Sequence, residues 1–148
     1  MRKIYIIIFV LLSFAFAEDH SIAVLDFSGE EIHADELKSL SAQFRIELLK
    51  MDTLRVLDYD DMKSILEVSG YDSPSCNTMT CSVISSMLLD QEWMVAAHIA
   101  KIGEVYVIEA HLFNSENGRV LNVVTYDHEL SIEGLRTRGM HNVAELLM

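Results

Sequence analysis

Residues 93–124 read WMVAAHIAKIGEVYVIEAHLFNSENGRVLNVV. Apolar and polar residues alternate along this stretch, which is the period of a half-buried strand. Trp93 to Ala100 and Glu104 to Phe113 flank a tight connection through Lys101-Ile102-Gly103. Asn117-Gly118 is a strong hairpin signal, because both residues tolerate the left-handed backbone such turns need. Arg119 to Glu129 then forms the last strand of a predicted three-stranded antiparallel meander.

Upstream of the meander, strands and helices alternate. Ser21 to Phe27 (SIAVLDF) is a short apolar run ending at Ser28-Gly29, the pattern of a buried strand. From Asp35, the residues Leu37, Leu40, Phe44, Leu48 and Met51 recur at spacings of three and four, which predicts an amphipathic helix of about sixteen residues. Asp35 and Glu36 suit its positive N-terminal dipole. Leu54 to Leu57 is a second strand. Asp60 is the expected N-cap of a short helix carrying Met62, Ile65 and Leu66 and stopping near Gly70. Residues 70–80 (GYDSPSCNTMT) hold the only Pro and many turn formers. A further helix starts near Cys81 and carries Val83, Ile84, Met87 and Leu88. Downstream of the meander, Ser131 caps a final helix bearing Ile132, Leu135, Met140, Val143, Leu146 and Leu147, weakened by Gly134 and Gly139.

The expected order is β-α-β-α-α-β-β-β-α. Early strands separated by a helix imply a parallel pair joined by a right-handed crossover. The fold class is therefore α/β: a mixed sheet of about five strands with helices packed on it.

The N-terminus has the three parts of a signal peptide. Arg2 and Lys3 are basic, Ile4 to Phe16 is apolar apart from Ser13, and Ala15-Phe16-Ala17 offers small residues at a cleavage site. Cleavage between Ala17 and Glu18 would leave residues 18–148 as one domain. The apolar run is shorter than the roughly 20 residues a spanning helix needs, and no later stretch could span after cleavage. No Cys stands at the cleavage site for acylation. Losing Arg2 and Lys3 leaves 9 basic against 23 acidic residues, so the formal charge goes from −12 to −14. Such a chain is repelled by phosphate backbones, which excludes nucleic acid as a partner.

Two cysteines, Cys76 and Cys81, stand five positions apart in the Pro-containing segment. An exported chain meets an oxidising compartment, so a disulfide is expected. A zinc site needs about four ligands and lacks a second Cys pair. The spacing is also not the C-x-x-C of redox enzymes.

No residues make a catalytic site. There is no glycine-rich phosphate loop and no nucleophile elbow. His98, His111 and His128 lie on the meander. Hairpin tracing sets them opposite about Val107, Val120 and Glu104, so they are not expected to converge on a metal. Asp58, Asp60 and Asp61 are read as helix capping. Glu109 is placed on the solvated side, facing Asn122. Trp93, Tyr106 and Tyr126 are read as packing, and Tyr71 as a possible partner contact. No cofactor is expected.

The stretches IAVLDFSG (22–29), RVLDYDDMKSIL (55–66), the Cys76 to Cys81 segment and WMVAAHIAKIGEVYVIEAHLFNSENGRVLNVV (93–124) together resemble a periplasmic domain family. That family includes the curli-secretion channel protein CsgG, the N-terminal domain of TolB and FlgO-type flagellar accessory proteins. The resemblance covers about residues 20–148. It implies an α/β domain that binds envelope or outer-membrane proteins, with no catalytic residues to carry over. Tyr59 stands where such proteins often have Arg. With no acylation Cys and no barrel insertion, pore formation is not implied.

The leading expectation is an exported, periplasmic, non-enzymatic adaptor in outer-membrane or surface-structure assembly, outer-membrane associated or secreted, with oligomer formation left open. The competing expectation is a small-ligand or nucleotide-binding sensor. It would use the crevice at the carboxyl ends of the first two strands, near Asp26–Gly29 and Asp58–Asp61.

Overall fold

A computed structural model describes residues 18–71, 79–129 and 131–148; the side chains of 79–83 are not described. The predicted signal peptide, with Ala17, and Cys76 lie outside the described residues, as does the side chain of Cys81. Six strands form one open mixed sheet with helices packed on it, so the expected fold class holds with one strand more than anticipated. The strands are β1 (His20–Val24), β2 (Ser28–Glu30), β3 (Leu54–Val56), β4 (Trp93–Ile102), β5 (Val105–Asn114) and β6 (Val120–His128). The helices are α1 (Ala34–Leu49), α2 (Tyr59–Val68), α3 (Met79–Leu89) and a C-terminal set. That set comprises a single turn Ile132–Gly134, a π-helical turn Leu135–Gly139 and α4 (Met140–Leu147).

The sheet order is β3-β1-β4-β5-β6, with β2 also paired to β4. β1 runs parallel to β3 and to β4, and the meander β4-β5-β6 is antiparallel. The expected single strand over Ser21–Phe27 is instead two strands in line. β1 pairs Val24 with Val95, whereas β2 pairs Ser28 with His98. Four steps on one strand thus match three on the other, which is a β-bulge. Ile22 and Val24 face the α1 side, and Ala23 and Leu25 face the α2 side. The bulge turns both Asp26 and Phe27 toward α1, where strict alternation would have sent Phe27 away. The Phe27 N–H leaves the ladder and donates to Ser41 Oγ at 2.8 Å.

Two apolar layers flank the sheet. The larger joins Ile22, Val24, Phe27, Val95, Ile99 and Ile108 to Phe44 and Leu48 of α1 and to Leu135, Met140 and Val143. The smaller packs Ala23, Leu25, Met94 and Phe113 against Met62 and Leu66 of α2 and Leu89 of α3. Buried Glu47 ties α1 to α4. It accepts from Gln43 Nε2 at 2.8 Å, Lys50 Nζ at 2.8 Å and His141 Nδ1 at 3.1 Å. Lys50 above all holds its pKa below the ordinary carboxylate value, against the raising effect of burial.

The hairpins are longer than the turn signals imply. Strand pairing continues through Lys101 and Ile102, so the loop is Gly103-Glu104, with Gly103 at φ +62°. His98 consequently faces Glu109 rather than Val107, and Glu109 faces Thr125 rather than Asn122. A bulge at Leu112/Phe113 shifts the next hairpin, so His111 faces Val123 and His128 faces Tyr106. The final helix is interrupted by the π turn, where Gly139 lies against Leu135; a Cβ there would lie 2.7 Å from Leu135 Cδ1. Of the apolar residues on the final helix, Leu146 is exposed.

Phe44 is fully buried and edge-packed on Phe27 at 5.5 Å between ring centroids. Phe44→Ala is expected to cost about 3–5 kcal/mol. Urea unfolding should show this as a lower midpoint with unchanged slope.

Candidate functional site

At the carboxyl ends of β1 and β3, the bulge aims Asp26 at α1. Arg45 approaches from α1, and Tyr59 from the first turn of α2. Arg45 Nη2 donates to Asp26 Oδ1 at 2.7 Å, and Tyr59 OH donates to Asp26 Oδ2 at 2.9 Å. Arg45 also donates to the Val24 carbonyl from Nε at 3.1 Å and from Nη2 at 2.8 Å. Its guanidinium lies 4.6 Å from the centroid of the Tyr59 ring. Both members of the ion pair are buried, with side chains 10% and 7% exposed. Arg suits this position because its planar fork can satisfy a carboxylate and a carbonyl together. Burial first, and the hydrogen bond to Asp26 second, raise the Tyr59 hydroxyl above its ordinary pKa.

Above this node opens a cleft of about 490 Å³. Lys38, Ala42, Arg45, Ile46 and Leu49 of α1 form one wall. Val56, Leu57, Asp58 and Tyr59 form the other, with Asp26 also lining it. The charges lining the cleft are of both signs. Arg45 answers the Asp26 charge, and Asp58 is turned to helix capping. Its Oδ1 accepts from the Asp60 N–H at 2.9 Å and the Asp61 N–H at 3.3 Å. Asp58, not Asp60, is therefore the N-cap of α2. The helix starts earlier than expected because Tyr59 turns inward as its first residue.

The other singled-out residues lie apart from this cleft. His98 and His111 share the sheet face opposite α1; Glu109, the register partner of His98, is exposed and accepts from His111 Nε2 at 2.7 Å. His98 Nδ1 is 2.8 Å from Ser28 Oγ. His128 lies on the other face, buried beside Gly134. Among the described residues, no three His, Cys, Asp or Glu side chains are grouped as metal ligands would be. Trp93 stacks on His20 at 3.8 Å between centroids, and Tyr106 is buried. Tyr71 is half-buried against the α2 and α3 layer. Sequence reading missed Arg45 and Lys38. Their one signal was position: both share the α1 stripe through Ala42, Ile46 and Leu49, beside the stripe that enters the core.

No protein-family model matches the chain, and no curated protein matches it significantly. Solved structures share its fold. The C-terminal domain of LpoB from Salmonella enterica is 10% identical with a TM-score of 0.61, over 84% of this chain and 93% of that one. Lipoprotein GNA1162 from Neisseria meningitidis is 15% identical with a TM-score of 0.61, over 85% and 94%. TolB from Acinetobacter baumannii is 9% identical with a TM-score of 0.51, over 86% of this chain and 28% of that one. The TolB part of the sequence resemblance thus has a structural counterpart. None of these three structures is a curli-secretion channel. Among the described residues, no helix is long and apolar enough to cross a membrane.

Arg45→Met should destabilise the chain by about 3–5 kcal/mol, because Asp26 is left buried and unpaired. Asp26→Leu combined with Arg45→Met should recover much of that loss in the same denaturation measurement. A raised tyrosine pKa contributes stability that is intact below the unfolded value near 10 and is lost as pH rises through the folded value. Thermal melts from pH 8 to 11.5 should therefore show a smaller alkaline loss for Tyr59→Phe than for the parent chain.

Proposed function

We propose that the chain is a non-enzymatic accessory protein of the cell envelope, working by binding other envelope proteins. The observation that carries this reading is the mutual pairing of the buried polar groups at the strand ends. Asp26, Arg45, Tyr59 and Asp58 spend their hydrogen bonds on one another and on the backbone. A general base or nucleophile needs a free lone pair aimed at open space, and the buried Asp26 carboxylate is instead held at both oxygens by Arg45 and Tyr59. What remains beside it is an apolar groove, suited to contact and not to chemistry. The fold shared with a lipoprotein and with TolB supports an envelope setting.

In this reading residues 1–17 direct export, cleavage falls between Ala17 and Glu18, and residues 18–148 act as one domain. Cys76 and Cys81 pair as a disulfide, and Tyr71 is a partner contact. The ligand-sensor reading draws on the cleft, whose volume of about 490 Å³ would admit a small molecule.

Expressed with its leader in a bacterial host, the chain should be recovered from the periplasm with Glu18 first and two hydrogens lighter than the reduced form by intact mass. A thermal-shift screen of nucleotides, metabolites and cations should leave its melting temperature unchanged. A saturable rise with any of them would replace the adaptor reading by the sensor.

A further inference from the structure

The groove between α1 and β3 joins two properties that receive an extended peptide: an apolar wall and an unpaired strand edge. β3 is the terminal strand of the sheet. The His20 N–H donates to the Thr53 carbonyl at 3.0 Å, and the Leu57 N–H donates to the Ile22 carbonyl at 2.8 Å. In a parallel ladder, alternate residues direct both backbone groups to the same side. Arg55 therefore turns its N–H and carbonyl to β1, and Val56 turns both of its own outward.

α1 presents two stripes. Leu40, Phe44 and Leu48 enter the core. Lys38, Ala42, Ile46 and Leu49 line the groove instead. Ile46 is 47% exposed and Leu49 62% exposed, although both flank the partly buried Val56. Exposed apolar side chains beside outward backbone groups are the setting for β-addition.

Charge selects the occupant. Arg45 is committed to Asp26, and Lys50 to Glu47. Asp58 Oδ1 is committed to the α2 cap. Lys38, by contrast, forms no ion pair among the described residues. α1 runs back against the strands, so Lys38 lies near their carboxyl ends, with Asp26 and Asp58, and Leu49 lies near the start of β3. A strand added parallel to β3 would bring its own carboxyl end to Lys38.

We infer that this groove binds the carboxyl-terminal segment of a partner protein, added parallel to β3, with alternate apolar side chains against Ile46 and Leu49 and its terminal carboxylate at Lys38. The inference rests on the adaptor reading and deepens it by naming surface and occupant. Exposed Asp58, Asp60 and Asp61 disfavour further acidic residues in that segment, so its single anion is the chain end.

Selection of a random nonapeptide library with free carboxyl ends against the exported chain tests this directly. Enriched peptides should carry apolar residues at alternate positions. A synthetic copy should bind roughly tenfold more weakly when amidated at its carboxyl end or when presented to Lys38→Glu. It should fail to bind Ile46→Asp, a variant whose far-UV spectrum and melting temperature should match the parent because the site is exposed. Hydrogen exchange at the Val56 amide should slow in the complex. No enrichment, or binding indifferent to both substitutions, would overturn the proposal. So would self-association abolished by Ile46→Asp, which would make a second copy the occupant. Photo-crosslinking in the envelope separates the two levels. A discrete partner captured from position 123, exposed on the sheet face opposite α1, but not from position 49 sinks the groove and keeps the adaptor. Capture from neither position sinks both.

Discussion

A buried carboxylate must be paired, and much of this fold is arranged around pairing Asp26. The one-residue bulge between β1 and β2 turns Asp26 toward α1 together with Phe27. Arg45 then fixes α1 over β1 through the Asp26 carboxylate and the Val24 carbonyl. Tyr59 brings the start of α2 to the same carboxylate. One side chain thus sets the position of two helices on a sheet. Neither charge could be buried alone without a cost of several kcal/mol.

The same node shapes the surface. Because Arg45 reaches inward across the end of β1, the α1 residues beside it are left over the terminal strand with nothing packed on them. The exposure of Ile46 and Leu49 is therefore a consequence of their place on the helix, outside the stripe that meets the sheet. The short length of β3, three residues, limits edge-to-edge association of the kind that long exposed edges invite. The groove keeps the outward backbone groups of Val56 next to an apolar wall without offering a long template.

The meander was legible because its periodicity and its two glycine turns are local signals. Its register was less so. Pairing runs to Ile102 and Val105 around Gly103-Glu104, and the bulge at Leu112/Phe113 absorbs a residue. Turn residues mark where a chain reverses; hydrogen bonding across the strands decides how far pairing continues. The core stripe of α1 was equally legible, since Leu40, Phe44 and Leu48 follow helical spacing. The final helix was only partly so, because the crowding of Gly139 on Leu135 that accompanies the π turn is a packing effect.

The sequence by itself determined the alternation of elements, the mixed sheet, the acidic charge and most of the apolar layer that α1 builds. These follow from periodicity, composition and turn chemistry, all of which act over a few residues. Only the tertiary structure decided that Asp26, Arg45 and Tyr59 meet, although they stand 19 and 33 positions apart. It also decided that Asp58 rather than Asp60 caps α2, and that Lys38 and Leu49 border an open groove. Such facts depend on a bulge, a crossover and the burial of one charge, and no local pattern in the chain records them.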